Sequence, residues 1–85
     1  MRVNELLTKI KGRTNIILKI DDLDTITFRG TKFNVVSSEE YIKGRKKYED
    51  TTVTNIDIVK EESETYILIE SATGIGKYSK TEWVR

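Results

Sequence analysis

No cysteine, histidine or proline occurs in these 85 residues. The absence of cysteine excludes disulfides, a thiolate nucleophile and thiolate zinc ligands, so packing and backbone pairing alone must hold the fold. The absence of histidine removes the commonest general base and metal ligand. Together these two absences exclude Ser-His-Asp and Cys-His catalysis and the common structural zinc sites. Carboxylate-based chemistry survives the exclusion, but no paired carboxylate site is evident, and the expectation is a protein that is not an enzyme and carries no cofactor or metal. With no proline, no linker is marked.

Long apolar runs are missing too. The longest is Tyr66-Ile67-Leu68-Ile69, whereas a membrane helix needs about 20 residues. Near the start, Arg2, Asn4, Glu5 and Lys9 interrupt the apolar stretch that a secretory signal requires. The expected setting is the cytoplasm, away from membranes.

The hydrophobic fraction is 36% against 34% charged, a globular balance rather than the low-hydrophobicity, high-charge signature of disorder. A chain of this length builds one small core, so residues 1–85 are expected to form a single domain. The net charge of +1 hides an uneven distribution. Lys43, Arg45, Lys46 and Lys47 form a basic block. Residues 49–70 then set Glu49, Asp50, Asp57, Glu61, Glu62, Glu64 and Glu70 against Lys60 alone.

Val3, Leu6, Leu7 and Ile10 recur at i, i+3, i+4 and i+7, one apolar stripe of a short amphipathic helix, with Gly12 beyond its end. The period then falls to 2. Ile16, Leu18 and Ile20 share one face of a strand, Ile26 and Phe28 that of a second, and Phe33 and Val35 continue as a third. Asp21, Asp22 and Asp24 mark the first turn, and Gly30 with Thr31 the next. Ser37 and Glu40 stand at capping-box spacing before one or two helical turns ending at Gly44. The basic residues up to Lys47 read as a loop. Thr54, Ile56 and Ile58, then Thr65, Ile67 and Ile69, alternate as a hairpin whose polar connection, Lys60 to Glu64, should span three to five residues. Tyr78 to Trp83 alternates as a last edge strand, with Trp83 closing the core. The fold expected is α+β, a short N-terminal helix packed on a mainly antiparallel sheet of about five strands. Leu6, Leu7 and Ile10 are expected to pack on Ile16, Leu18 or Ile20 and on Ile56, Ile58, Ile67 or Ile69.

Four constellations could carry function. Gly74-Ile75-Gly76-Lys77 looks like part of a phosphate loop, but Ser71 stands where such a loop needs its first glycine and Tyr78 where it needs Ser or Thr. Asp21, Asp22 and Asp24 could ligate a hard cation, yet no ligand pattern follows them, and a solvated turn is the better reading. Tyr41, Lys43, Arg45, Lys46, Lys47 and Tyr48 combine cations for phosphates with rings for unpaired bases. The pI near 7.9 lies below that of most nucleic-acid-binding domains. Asp57, Glu61, Glu62 and Glu64 on the hairpin would present a negative face to a basic protein groove.

The helix Val3-Asn4-Glu5-Leu6-Leu7-Thr8-Lys9-Ile10-Lys11, the strands after it and the hairpin Val53-Thr54-Asn55-Ile56-Asp57-Ile58 to Tyr66-Ile67-Leu68-Ile69-Glu70 resemble short accessory proteins of phages and prophages in Gram-positive bacteria. The resemblance spans residues 3–70 and implies a small inhibitor, of the anti-CRISPR or another anti-defence kind. Such a protein acts by stoichiometric binding to a host protein such as a nuclease or defence complex. Asp57, Glu61, Glu62 and Glu64 are its expected contact residues. The alternative is a nucleic-acid or nucleotide-binding protein working through the Tyr41 to Tyr48 segment.

Overall fold

The computed structural model describes residues 1–21 and 25–73. The short helix α1 (Val3–Leu7) precedes the strands β1 (Asn15–Asp21) and β2 (Thr25–Thr31). Three short helices follow, α2 (Lys32–Ser37), α3 (Glu39–Lys43) and α4 (Arg45–Glu49), and then β3 (Thr52–Glu61) and β4 (Glu64–Ala72). The class is α+β. The sheet has four strands among the described residues, in the order β2-β1-β4-β3, one fewer than expected. The last edge strand and Trp83 lie outside the described residues, as do Asp22 and Asp24.

Two hairpins make the sheet, and they meet in parallel: Ile16 pairs with Ile67, Leu18 with Ile69 and Ile20 with Ser71. A parallel pair needs a crossover connection, and α2 to α4 supply it. They cover one face of the sheet, because directly paired residues share a face. Val3, Leu7, Val35 and Tyr41 from the helices close over Ile16, Leu18, Ile20, Phe28 and Ile69 in one core. On the opposite face Ile17 is also buried, flanked in register by Arg29 and Leu68.

Helix α1 begins where the Arg2 N–H donates to the Glu5 carboxylate at 2.9 Å, a bond that also holds the Glu5 carboxyl below its ordinary pKa. The N-terminal residues fasten to the beginning of the outer strand: Val3 N–H donates to the carbonyl of Thr51, just before β3, and Val53 N–H to the Met1 carbonyl. At the same end the Thr51 hydroxyl donates to the Tyr48 carbonyl at 2.6 Å and lies 3.1 Å from Ser71 Oγ, which donates to the Lys19 carbonyl. These buried hydroxyls tie α4, β3, β4 and β1 together with their polar atoms satisfied.

Four expectations need correction. Phe33 and Val35 do not form a third strand: the Thr31 hydroxyl accepts the Asn34 N–H and caps α2, burying Val35 and leaving Phe33 outside. Local capping thus overrides a two-residue alternation too short to specify a strand. The next helix is capped by Ser38, whose hydroxyl accepts the Tyr41 N–H, while Ser37 donates back to the Phe33 carbonyl. The basic stretch is helical as α4, because Tyr48 docks edge-on against Phe28 with ring centroids 5.3 Å apart. Gly44 permits this close approach, since a Cβ there would lie 2.6 Å from Tyr48 Cε2.

The second hairpin turns through Glu62 and Ser63 alone, a two-residue connection in place of the expected three to five. Glu62 has φ 54, in the left-handed region, which costs a side-chain-bearing residue about 1 to 2 kcal/mol. Glycine there would relieve that strain but add about 0.5 to 1 kcal/mol of unfolded-state entropy. Glu62→Gly should therefore stabilise the domain by up to about 1 kcal/mol in urea denaturation. A destabilised variant would show that the Glu62 side chain contributes more than its backbone costs.

Candidate functional site

The basic segment divides on folding. Tyr41 is fully buried and its hydroxyl donates to Glu49 Oε2 at 3.0 Å. Its ring packs edge-on against Phe28, with centroids 5.5 Å apart, and beside Tyr48, at 5.8 Å. Tyr41 is therefore a core residue and presents no face on which a base could stack, which corrects that part of the expectation, while Tyr48 is half-buried with its ring packed on Phe28 and Tyr41. Arg45 pairs with Glu49 at 3.2 Å, one turn away on α4. Lys43, Lys46 and Lys47 remain on the surface, and Lys46 lines a shallow groove with Arg2, Asn4, Glu5, Glu49 and Asp50. That groove mixes both signs of charge.

The acidic set is spread along the second hairpin. Glu61, Glu62 and Glu64 gather at its tip, whereas Asp57 sits midway along β3, in register with Leu68. Glu61 forms an ion pair with Arg29, whose guanidinium carbon lies 4.7 Å from the centroid of the Tyr66 ring. The Tyr66 hydroxyl donates to Glu64 at 2.9 Å. Asp57 accepts the Ile58 N–H at 2.8 Å, occupying a main-chain donor of the outer strand. Glu62 is exposed at the turn.

Beside these acids lie residues that periodicity assigns to the core. Ile56 is 50% exposed and Ile58 65% exposed, although their register partners are Ile69 and Ile67. They stand on the helix-bearing face of the outermost strand, beyond the helical cover. Periodicity locates the face but not the extent of what lies over it.

A second surface carries no motif in the sequence. The loop after α1 folds against the β2–α2 junction: Thr14 N–H donates to Lys11, Lys32 N–H to Thr14 and Phe33 N–H to Gly12, all at carbonyl oxygens and at 2.8 to 3.0 Å. Lys11, Gly12, Arg13, Thr31 and Phe33 line an open groove of about 750 Å³, and Phe33 is 65% exposed at its rim. No carboxylate lines it. The signal that could have found it is charge sorting: residues 6–20 and 25–38 contain Lys9, Lys11, Arg13, Lys19, Arg29 and Lys32 and no acidic side chain. The β1–β2 hairpin, with Asn15 opposite Thr31, brings the ends of those segments together.

Strand order places the β4–β3 pair, with Asp57, Glu61, Glu64 and Glu70 against Lys60, at one side of the sheet, while Lys11, Arg13 and Lys32 flank the β1–β2 pair at the other. Among the described residues no helix is long and apolar enough to cross a membrane, and no group of three or more Asp and Glu is placed to hold a metal ion. Gly74 to Lys77 lies outside the described residues. No protein-family model, curated protein or solved structure matches this chain.

Proposed function

We propose that this chain is a non-catalytic protein-binding domain of the inhibitor or adaptor type, acting in the cytoplasm by stoichiometric binding to a host protein. The observation that carries the reading is the exposure of Ile56 and Ile58 side by side on the outer strand. Adjacent exposed isoleucines flanked by charge have the composition of an interface core with a polar rim. Glu62 at the turn, with Asp57 and Glu64 on the other face of the same edge hairpin, gives this edge of the sheet a negative potential, so the complementary partner has an apolar ridge accompanied by Lys or Arg. A basic nucleic-acid-binding groove on a nuclease or defence complex meets that description, which agrees with the phage-accessory resemblance.

The test is a titration of a partner captured from host lysate, with inhibition or binding measured per mole of added domain. Saturation is expected at one domain per partner site or a simple multiple of it; turnover of many partners by one molecule would overturn the reading. Ile56→Ser with Ile58→Ser should abolish capture while changing stability by no more than about 1 kcal/mol, because both side chains are already largely in water. Reversal of Asp57, Glu62 and Glu64 to lysine should slow association more than reversal of Lys43 and Lys46 to glutamate. Unchanged affinity in both hairpin variants would place the interface elsewhere.

A further inference from the structure

We propose that the groove of Lys11, Gly12, Arg13, Thr31 and Phe33 binds single-stranded nucleic acid, with Phe33 stacking on a base and Lys11, Arg13 and Lys32 contacting phosphates. This site is separate from the β3 surface and does not depend on it.

Phe33 is an exposed aromatic on a small domain. A phenylalanine with 65% of its surface in water forgoes burial worth about 1.5 to 3 kcal/mol. Its position is well defined, since its own N–H is bonded to the Gly12 carbonyl and its Cβ would lie 3.5 Å from a Cβ at Gly12. The ring therefore projects from a braced junction of two backbone segments. Around it, Lys11 and Arg13 are exposed and Lys32 is half-buried, and none of the three has a carboxylate partner among the described residues. Like charges gathered without counter-charges raise the folded state's energy unless an anion relieves them.

The ligand class follows from combining the two features. Phosphates account for the cations but leave the ring unused, whereas a base with an open π-face accounts for both. Duplex DNA hides its base faces in the stack, and an acidic protein surface supplies no stacking partner. Single-stranded nucleic acid presents phosphates and unstacked bases together. The near-neutral charge of the whole chain does not oppose this, because a strand meets the local potential of the groove, and no carboxylate lines that groove. This places the nucleic-acid contact away from the Tyr41 to Tyr48 segment, where Tyr41 is buried and the half-buried Tyr48 ring packs on Phe28.

The experiment is fluorescence anisotropy of a labelled oligothymidylate against the full chain over a range of salt. The wild-type protein is expected to bind, and to bind the single strand more tightly than a duplex of equal length. Phe33→Ala should weaken binding about tenfold with the salt slope retained, the effect of losing one stacked base, while Phe33→Tyr should keep it. Lys11→Glu with Arg13→Glu should lower the salt slope by roughly 1.4 units, about 0.7 for each phosphate no longer neutralised. Lys43→Glu with Lys46→Glu, the same charge change elsewhere, should leave affinity within about twofold. No wild-type binding at low salt, equal or tighter binding of duplex, an unaffected Phe33→Ala variant, or equal weakening by the two charge reversals would each overturn the proposal. Thermal melts of the variants, whose substituted side chains are exposed, confirm that the fold is retained.

Discussion

Tyr41→Ala is expected to cost about 3 to 5 kcal/mol, the range for truncating a fully buried aromatic side chain. Tyr41 is 0% exposed, the largest of the fully buried side chains, and it stands among Phe28, Tyr48, Val35 and Leu7 in the core. Its two ring contacts, to Phe28 and Tyr48, add stabilisation beyond burial at about 0.5 to 1.5 kcal/mol each. Truncation would also remove the Tyr41 hydroxyl from the Glu49 carboxylate and leave Arg45 as its partner among the described residues. A domain of this size is stable by only about 5 to 10 kcal/mol, so the variant should be marginally folded at best. Tyr41→Phe keeps the ring and removes the hydroxyl, at about 1.5 to 3 kcal/mol for a hydrogen bond to a charged group. Urea denaturation of the three proteins separates ring from hydroxyl. A loss below about 1 kcal/mol for Tyr41→Ala would mean that Tyr41 is not the centre of the core.

The same residue sets an alkaline limit. Burial, and then the hydrogen bond to Glu49, hold the Tyr41 phenol in its neutral form well above its ordinary pKa. The unfolded chain releases this proton near pH 10 and the folded protein retains it, so the stabilisation is complete below about pH 10 and is lost as pH rises toward the folded pKa. In that window stability should fall by about 1.4 kcal/mol per pH unit. Tyr41→Phe should remove this slope, and a wild-type denaturation series from about pH 9 to 11 measures it.

Leu18→Ala should cost about 2 to 5 kcal/mol, whereas Ile58→Ala should change stability by no more than about 1 kcal/mol. Both are branched aliphatic residues on alternating strands and face the same side of the sheet, so periodicity treats them alike. Leu18 is fully buried on β1 between Phe28 of β2 and Ile69 of β4, and the helices lie above it. Ile58 occupies the outer strand, with Ile67 on one side and no described strand on the other. Chevron or equilibrium denaturation of both variants decides between a core that includes all four strands and one centred on β1. Comparable losses would show that Ile58 is covered in solution, and its proposed contact with a partner would fall with that result.

Parts of this architecture are readable from local patterns. The apolar stripe of α1 and the alternations of β1, β2, β3 and β4 each follow from periodicity, because a buried face must repeat at the period of its own element. The run Phe33 to Val36 misleads, because an alternation of one or two residues carries less information than a threonine cap with its donor at Asn34. Tyr41 and Tyr48 have the pattern of a basic-aromatic binding motif. Their burial becomes legible only once Phe28, remote in sequence, is placed between them.

By itself the sequence determined the chemistry that this protein lacks, the α+β class, and the position of most strands, since these depend on side-chain identity and short-range repetition. It also contained two stretches, 6–20 and 25–38, with cations and no acids, and a concentration of acids in 49–70 opposed by Lys60 alone. Which surfaces those charges form was decided by tertiary structure alone. The parallel pairing of β1 with β4 put the acidic hairpin at one side of the sheet, and the cations that flank the β1–β2 hairpin, Lys11, Arg13 and Lys32, at the other. The helices then covered Leu18 and Ile69 but not Ile56, Ile58 or Phe33, because four helices of five or six residues shield only part of a four-stranded sheet. Long-range pairing and the extent of that cover depend on contacts between residues far apart in the chain, for which no local pattern carries a signal.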